Sequence, residues 1–250
     1  MTYPSEWHRQ FGEKTYASAR TILSRLATYA PFRSVVEVGC GNAHWTRAAQ
    51  ELGARDHVVI DGPWNDRTDL LVDQSNFMEA DLALPLDVGR RFDLALCLEV
   101  AEHVQRASAT TLVQSLAGLS DVILFGAAIP RQGGYGHVNE QWQSWWCEHF
   151  RNEGYRAFDV IRPSVWNDGS VHYWYRQNCV LYVAEIAPDI LAAVRAYRAA
   201  HIDEWDMLDA VHPEKFNEIA EYDKVELPTL MRKLPRHILN RIAHIVRRAG

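Results

Sequence analysis

A short apolar run that leads directly into a glycine turn constrains the fold of this chain more than any other stretch. The run reads VVEV and includes Glu37, and the turn that follows is Gly39, Cys40 and Gly41. The segment 43–52 then has the character of a helix. A buried strand, a glycine turn and a helix make the first half of a nucleotide-binding α/β unit, whose crevice lies at the carboxyl end of the strand. Glycines let the backbone approach a ligand there because they have no Cβ.

Hydrophobic periodicity extends this unit into a larger α/β sheet. Apolar runs predict seven strands, of which the first five alternate with helices, so we expect a mainly parallel sheet with helices on both faces. The predicted strands are 34–38, 56–60, 76–81, 92–98, 120–128, 157–161 and 179–186. Helical spacing predicts helices over 13–29, 43–52, 142–150, 189–209, 213–222 and 227–248, and turn residues predict a loop over 162–176. These elements indicate a sheet domain over 1–187 and a C-terminal helical extension over 188–250.

Composition narrows the classes of protein to consider. Of the 250 residues 48% are hydrophobic, enough for a sizeable core, and the net charge of −6 gives no global reason to expect a nucleic-acid partner. The four cysteines have no C-x-x-C spacing, which favours buried thiols in a reducing compartment. We find neither a membrane-spanning run nor a signal peptide, so the expected location is cytoplasmic. The sequence leaves the oligomeric state open.

The last part of the chain is a basic, amphipathic tail. Residues 226–250 contain six lysines and arginines and a single acidic residue, Glu226, and their isoleucines recur at helical spacing. Such a tail can contact a membrane surface or a protein partner. The simpler alternative is a helix that packs on its own domain or forms a subunit interface.

An acidic residue, Asp61, follows the second predicted strand and precedes Gly62 and Pro63. It lies about twenty positions beyond the glycine turn, a distance suited to binding a ribose diol. A carboxylate can accept hydrogen bonds from both hydroxyls. The alternative is an aspartate that merely begins a Gly-Pro turn.

Directly after the fourth predicted strand comes the block Glu99, Val100, Ala101, Glu102 and His103. If a helical turn begins here, the E-x-x-E spacing places both carboxylates on one face, with the imidazole beside them. Such a group suits Mg²⁺ or Mn²⁺. A further ligand can come from the glycine-rich loop 131–142. The alternative is a metal-free site, in which the two carboxylates shape a cofactor pocket and the histidine packs or acts as a base.

The pattern E-x-G-x-G-N at the turn resembles the first motif of class I S-adenosylmethionine-dependent methyltransferases, with Ala43 in place of the third glycine. A dinucleotide-binding fingerprint would need glycine where His44 stands. The resemblance implies a seven-stranded class I fold and S-adenosylmethionine as cofactor. It also implies that Asp81 binds the adenine amino group and that the backbone of Leu82 meets the ring. The alternative is that Asp81 caps the next turn. The cofactor-binding positions we predict are Glu37, Gly39, Cys40, Gly41, Asp61, Gly62, Asp81, Leu82 and Leu98.

The E-x-x-E-H block followed by a later histidine resembles two metal-related families. They are the small-RNA 3′-terminal 2′-O-methyltransferases and the ubiquinone-biosynthesis O-methyltransferases. The resemblance implies that Glu99, Glu102, His103 and His137 bind the ion, although His149 and His172 are rivals for the last position. A bound cation lowers the pKa of a sugar hydroxyl, and a histidine can take the proton. The predicted catalytic residues are therefore His137, His103 and Glu102.

The segments GGYGHVNEQWQSWW and WYRQN are also similar to bacterial and phage methyltransferase-domain proteins associated with glycan synthesis. We therefore expect an O-methyltransferase acting on a hydroxyl of a sugar, a glycan or a related small molecule, with a divalent ion assisting. The alternatives are an RNA 3′-terminal 2′-O-methyltransferase, a natural-product methyltransferase and a non-catalytic scaffold. Aromatic residues concentrated in the rim segments suit a sugar ring or pack ordinary loops. They are Trp142, Trp145, Trp146, Trp166, Tyr173, Trp174 and Tyr175.

Overall fold

The computed structural model of this chain describes residues 5–202 and 208–223. Within these residues, seven strands form one mixed sheet with helices around it, which confirms the predicted class I architecture. The strands are β1 (Ser34–Val38), β2 (Asp56–Asp61), β3 (Phe77–Glu79), β4 (Leu94–Leu98), β5 (Val122–Gly126), β6 (Tyr155–Phe158) and β7 (Val180–Ala184). The helices are α1 (Ser5–Leu26), α2 (His44–Glu51), α3 (Ala109–Leu119), α4 (Gln143–Asn152), α5 (Arg162–Val165), α6 (Tyr173–Asn178), α7 (Pro188–His201) and α8 (Pro213–Asp223).

The order of the strands places a crevice near the centre of the sheet. Across the sheet the order is β3-β2-β1-β4-β5-β7-β6. Strands β1 to β5 run parallel, and β7 is antiparallel to both of its neighbours. The chain order reverses between β1 and β4, where an open α/β sheet places its ligand. Because β7 runs the other way, the residues just before it join the edge at which the parallel strands end.

Alternating side chains on each strand build two hydrophobic layers, one on each face of the sheet. On β1, Val35 packs into the layer that includes α1 and α2 residues, whereas Val36 packs into the layer that includes α3. Strand β4 alternates in the same way, with Leu96 in the first layer and Cys97 in the second. The sheet is therefore buried on both faces, as expected for a parallel sheet.

The region between the sixth and seventh strands differs most from expectation. Strand β6 starts earlier than predicted, at Tyr155, because residues 155–158 pair with the antiparallel β7. Val160 and Ile161 lie beyond the end of that strand and are fully buried. They are apolar because they pack in the hydrophobic core, not because they belong to the sheet. The loop predicted over 162–176 contains the short helices α5 and α6.

The chain divides into two compact units, Met1–His212 and Pro213–Gly250. Helix α7 belongs to the first unit, where Leu191 and Val194 pack into the hydrophobic layer. The predicted division after residue 187 therefore does not coincide with the boundary between compact units. In the second unit, α8 matches the predicted helix over 213–222. The predicted helix over 227–248 and its basic residues lie outside the described residues. None of the described helices is both long and apolar enough to cross a membrane.

Candidate active site

The glycine turn after β1 is a tight backbone bend that leaves no room for a side chain at Gly39. Gly39 has φ 77°, and a Cβ on it would lie 2.3 Å from a methyl carbon of Val100. The N–H groups of Gly39 and Cys40 both donate to the carbonyl of Ile60, at 2.8 and 3.0 Å. Ala43, in the third glycine position, has φ 62°, a conformation that non-glycine residues rarely adopt. The turn thus depends on the glycine for close approach between β1 and the segment after β4.

Glu37 lies beneath this turn and connects it to α2. Its carboxylate accepts hydrogen bonds from the backbone N–H of Thr46 at 2.8 Å and from the Thr46 hydroxyl at 2.5 Å. Burial raises the pKa of Glu37 to about 7, although the bonds from Thr46 act in the opposite direction. Helix α2 has no capping side chain at Ala43. Glu37 therefore satisfies an N–H of the first helical turn, which makes it a support for the turn that is predicted to bind the cofactor.

Asp61, at the end of β2, reaches across to the same turn. Its carboxylate accepts from Gly41 N at 2.8 Å, from Gly62 N at 2.7 Å and from the side-chain amide of Asn65 at 3.1 Å. A Cβ on Gly62 would lie 2.2 Å from the indole ring of Trp64, so the ring covers this glycine. The structure thus brings together the turn and the predicted ribose acid. Asn65 and Trp64 were not predicted as site residues from the sequence, although both follow Asp61 within four residues.

The remaining predicted cofactor-binding residues follow β3 or lie at the end of β4. Asp81 is exposed, and its carboxylate accepts a hydrogen bond from Ala83 N at 2.9 Å, so it caps the turn after β3. Leu82 is buried in the hydrophobic layer on the α3 face. Leu98 ends β4 and lies against Gly126 of β5. The cap was the alternative to adenine binding, and a role for Asp81 toward adenine stays a prediction.

Glu99 follows β4 directly and is held by side-chain amides. It has φ 57°, and its carboxylate accepts from Asn178 at 2.9 Å and from Gln132 at 3.2 Å. The amide of Gln177 donates to Gln132 at 2.9 Å and extends the network. Burial raises the pKa of Glu99 to about 7 against these bonds. The sequence pattern did not single out these amides, but the QN pair directly before an apolar strand was a usable signal.

Glu102 differs from every acid described above, because it is fully buried and its carboxylate oxygens have no hydrogen-bond partner among the described residues. Burial and the neighbouring Glu99 raise its pKa well above the usual range. The backbone N–H groups of Glu102 and Ala128 oppose this rise without reaching hydrogen-bonding geometry. A buried carboxyl group that lacks a well-formed hydrogen bond costs about 1–3 kcal/mol or more. Such a group suits a cation as its partner.

Two histidines complete a group around Glu102. One potential ligand atom each of Glu102, His103 and His137 lies within 4.8 Å of the others. The two imidazole rings meet edge to face with centroids 4.9 Å apart. Burial and the adjacent His137 lower the pKa of His103 to about 4, so this ring is neutral at physiological pH. An unpartnered carboxyl group and two imidazoles form a donor set that fits a divalent metal ion.

The other predicted ligands lie elsewhere. Glu99 is engaged with Asn178 and Gln132 and does not join the three-residue group. His149 contacts the Thr110 hydroxyl of α3 at 3.2 Å, and His172 stacks on Trp174 with ring centroids 3.8 Å apart. The structure therefore assembles three of the four predicted ligands and neither of the two rivals.

The loop that carries His137 is tied to Glu102 through its backbone. The N–H groups of Val138 and Asn139 both donate to the Glu102 carbonyl, at 2.9 and 3.0 Å. The imidazole Nδ1 of His137 lies 2.9 Å from a carboxylate oxygen of Glu140. These two tethers bring a histidine 34 residues away in sequence next to the E-x-x-E-H block.

Most of the predicted rim aromatics turn out to be packing residues. Trp146 is 1% exposed within the core, and Trp145 stacks edge to face against it. Trp174 packs on His172, and Trp166 packs on His212 with ring centroids 4.7 Å apart. Among the predicted aromatics Trp142 is exposed, and two residues outside the prediction, Trp64 and Tyr135, are exposed beside the turn and in the glycine-rich loop. The alternative of ordinary packing therefore describes most of these residues, because tryptophans in a short helix also serve to bury it.

Comparison with known proteins agrees with this geometry. A family model described as a methyltransferase domain matches residues 8–162. No curated protein sequence matches the chain. The sugar N-methyltransferase KedS8 from Streptoalloteichus sp. has a similar structure, with a TM-score of 0.56, 14% identity and coverage of 74% of this chain and 94% of that one. For the magnesium protoporphyrin IX methyltransferase from Synechocystis, solved with bound SAH, the TM-score is 0.51 at 14% identity, covering 74% and 90%.

At such low identity these two structures establish the fold, whereas the family model covers more than half of the chain. The predicted family and the dependence on S-adenosylmethionine are thereby confirmed. The protein belongs to the class I S-adenosylmethionine-dependent methyltransferases.

Proposed function

We propose that this enzyme transfers the methyl group of S-adenosylmethionine to a hydroxyl of a sugar, a glycan or a related small molecule, with a divalent ion such as Mg²⁺ or Mn²⁺ bound by Glu102, His103 and His137. The observation that carries the proposal is the buried carboxyl group of Glu102, which has no hydrogen-bond partner among the described residues and lies beside two histidines. This group follows the carboxyl ends of β4 and β5, next to the crevice between β1 and β4.

The chemistry of hydroxyl methylation fits this donor set. An alcohol is a poor nucleophile near neutral pH, and a bound divalent ion lowers its pKa and orients it. The chain's own residues hold the ligand geometry through the backbone bonds from Val138 and Asn139 to Glu102. His103 presents a neutral imidazole because burial lowers its pKa to about 4, so its ring nitrogen is available as a metal ligand at neutral pH. The protein then has mainly to align oxygen and methyl carbon.

The surface beside the histidines supports a ring-shaped substrate. Tyr135 and Val138 flank Gly136 and His137, and they are 60% and 48% exposed. Flat aromatic faces beside polar groups suit a sugar ring or another ring with hydroxyls. A sugar is also what the name of the structurally similar KedS8 enzyme specifies for that protein. A net charge of −6 does not favour an RNA substrate, the alternative with a comparable ligand set.

A methyl-transfer assay tests this function. The enzyme is incubated with S-adenosylmethionine and, in parallel, with a panel of sugar nucleotides, glycans, phenolic small molecules and short RNAs, and methylated products are detected by mass spectrometry. We expect methyl ethers of sugar hydroxyls, loss of product in EDTA and recovery with Mn²⁺. Methylated nitrogen, methylated RNA or full turnover in EDTA would contradict the proposal in substrate or in metal dependence. Failure to bind S-adenosylmethionine in calorimetry would favour a scaffold.

A further inference from the structure

Glu140 closes the glycine-rich loop between β5 and α4 by accepting three hydrogen bonds. The N–H of Arg131 donates to one carboxylate oxygen at 2.8 Å. The N–H of Gly133 and the Nδ1 of His137 both meet the other oxygen, at 2.6 and 2.9 Å. Arg131 and Gly133 each have φ 69°, so the carboxylate stabilises a backbone conformation that is strained at Arg131. Hydrogen bonds to an ionised carboxylate are about twice as strong as neutral ones.

These contacts determine which nitrogen of His137 carries the proton. A carboxylate is an acceptor only, so Nδ1 must be the donor in its bond to Glu140. In a neutral imidazole with Nδ1 protonated, Nε2 holds the lone pair. In metal sites, a carboxylate bonded to the second ring nitrogen fixes both the tautomer and the ring orientation of a histidine ligand. Glu140 is placed to do this for His137.

Gly134 lies next to the other ring nitrogen of His137, Nε2. A Cβ on Gly134 would lie 2.2 Å from Nε2 of His137, well inside contact distance. The absence of a side chain there is therefore what leaves Nε2 accessible. The backbone of Gly134 has no positive φ, so an alanine meets no backbone strain at this position.

We propose that Glu140 is a positioning residue that sets the Nδ1-protonated tautomer of His137, and that Gly134 keeps Nε2 open for the group formed with Glu102 and His103. The metal-affinity part of this inference rests on the proposed function, whereas the tautomer part does not. The two can therefore fail separately.

The tautomer is measured directly on labelled protein in EDTA, without cofactor or substrate, by long-range proton–nitrogen correlation spectra of the imidazole rings. The signals of His137 are assigned from their loss in His137→Gln. We expect the Nδ1-protonated pattern in the wild type and a shift toward Nε2 protonation in Glu140→Gln, because one amide oxygen cannot serve all three donors. Glu148→Gln makes the same chemical change at an exposed site on α4 and should leave the pattern unchanged. An Nε2-protonated His137 in the wild type, or the same pattern in Glu140→Gln, would overturn the assignment.

A second measurement uses Mn²⁺ alone as the probe, by calorimetry. Glu140→Gln should weaken Mn²⁺ binding about 10–100-fold, the loss typical when a partner of a ligand is removed. Gly134→Ala should weaken it while leaving the tautomer of His137 as in the wild type, so it remains informative even if Glu140→Gln does not fold. Unchanged Mn²⁺ affinity in Gly134→Ala would overturn the role of that glycine. If wild-type protein does not bind Mn²⁺ but shows the expected tautomer shift, the metal proposal fails and the positioning role of Glu140 stands.

Discussion

The acidic residues on the two sides of the crevice differ in their hydrogen bonding. On the β1–β2 side, the carboxylates of Glu37 and Asp61 accept hydrogen bonds from the chain itself, mainly from N–H groups of the turn and of α2. On the β4–β5 side, Glu99 is similarly satisfied by amides, but Glu102 is buried without a donor. The first side is a scaffold that the protein completes with its own bonds. The second contains a group without such bonds, for which we propose a metal ion as the partner, and groups with strongly shifted pKa values are concentrated at functional sites.

The substitution Glu102→Gln tests this difference between the two sides with the largest expected effect. We expect at least about a 100-fold loss of turnover, since the Lewis-acid contribution of a metal is worth several kcal/mol. Affinity for S-adenosylmethionine should stay within several-fold, because the turn at Gly39 is untouched. The melting temperature of the metal-free protein should hold or rise, because Gln keeps the size of the side chain and has no charge to lose on burial. Turnover at the wild-type rate would remove the metal hypothesis.

On the scaffold side, the largest effect should come from Gly39→Ala. The new methyl group would meet Val100 at 2.3 Å on a backbone with φ 77°, so the turn must distort. Calorimetry should show affinity for S-adenosylmethionine reduced by at least about tenfold, which corresponds to 1.4 kcal/mol. The matched control is Gly118→Ala in α3, where a Cβ meets nothing within 4 Å. There we expect unchanged cofactor affinity and a gain in stability of about 0.5–1 kcal/mol.

The free energy of unfolding, measured over a range of pH, tests the raised pKa of Glu37. Its pKa is raised to about 7 in the folded state, above the usual 4.5, so the folded protein retains a proton that the unfolded chain has lost. Stability should therefore fall as pH rises between these values, with a contribution of up to about 1.4 kcal/mol per pH unit from this group. In Glu37→Gln that contribution is absent, and urea unfolding at pH 5 and pH 7 should show a shallower dependence. An identical slope in both proteins would mean that Glu37 is already ionised at pH 5.

The smallest expected effect is at Asp81, where the structure shows a turn cap. Asp81→Ala should cost up to about 1 kcal/mol of stability, which is typical for losing a capping side chain. If capping is its whole role, affinity for S-adenosylmethionine changes less than threefold. A larger loss of affinity, measured by calorimetry beside Asp87→Ala as an exposed control that caps Gly89, would support the predicted contact with adenine.

Features of the two sides that depend on local sequence patterns were predictable, and features that depend on contacts between distant segments were not. The strands from β1 to β5 follow from apolar runs, and the turn at Gly39 follows from its glycines, because both are local patterns. Glu102 and His103 are also adjacent in sequence, so their pairing was predictable. The exclusion of Glu99 from the group was not, since it depends on Asn178 and Gln132, which reach it from distant segments. The role of Glu140 likewise becomes visible only when the loop has folded back on itself.

The most direct test of the account is whether the group of Glu102, His103 and His137 faces the methyl group of the donor. Mn²⁺ is added to the enzyme with bound S-adenosylmethionine, and the paramagnetic relaxation of the S-methyl protons is compared with that of the adenine protons. We predict faster relaxation at the methyl group than at the adenine, and loss of the difference in Glu102→Gln. Equal relaxation at both ends, or a difference that survives the Glu102→Gln substitution, would contradict the account.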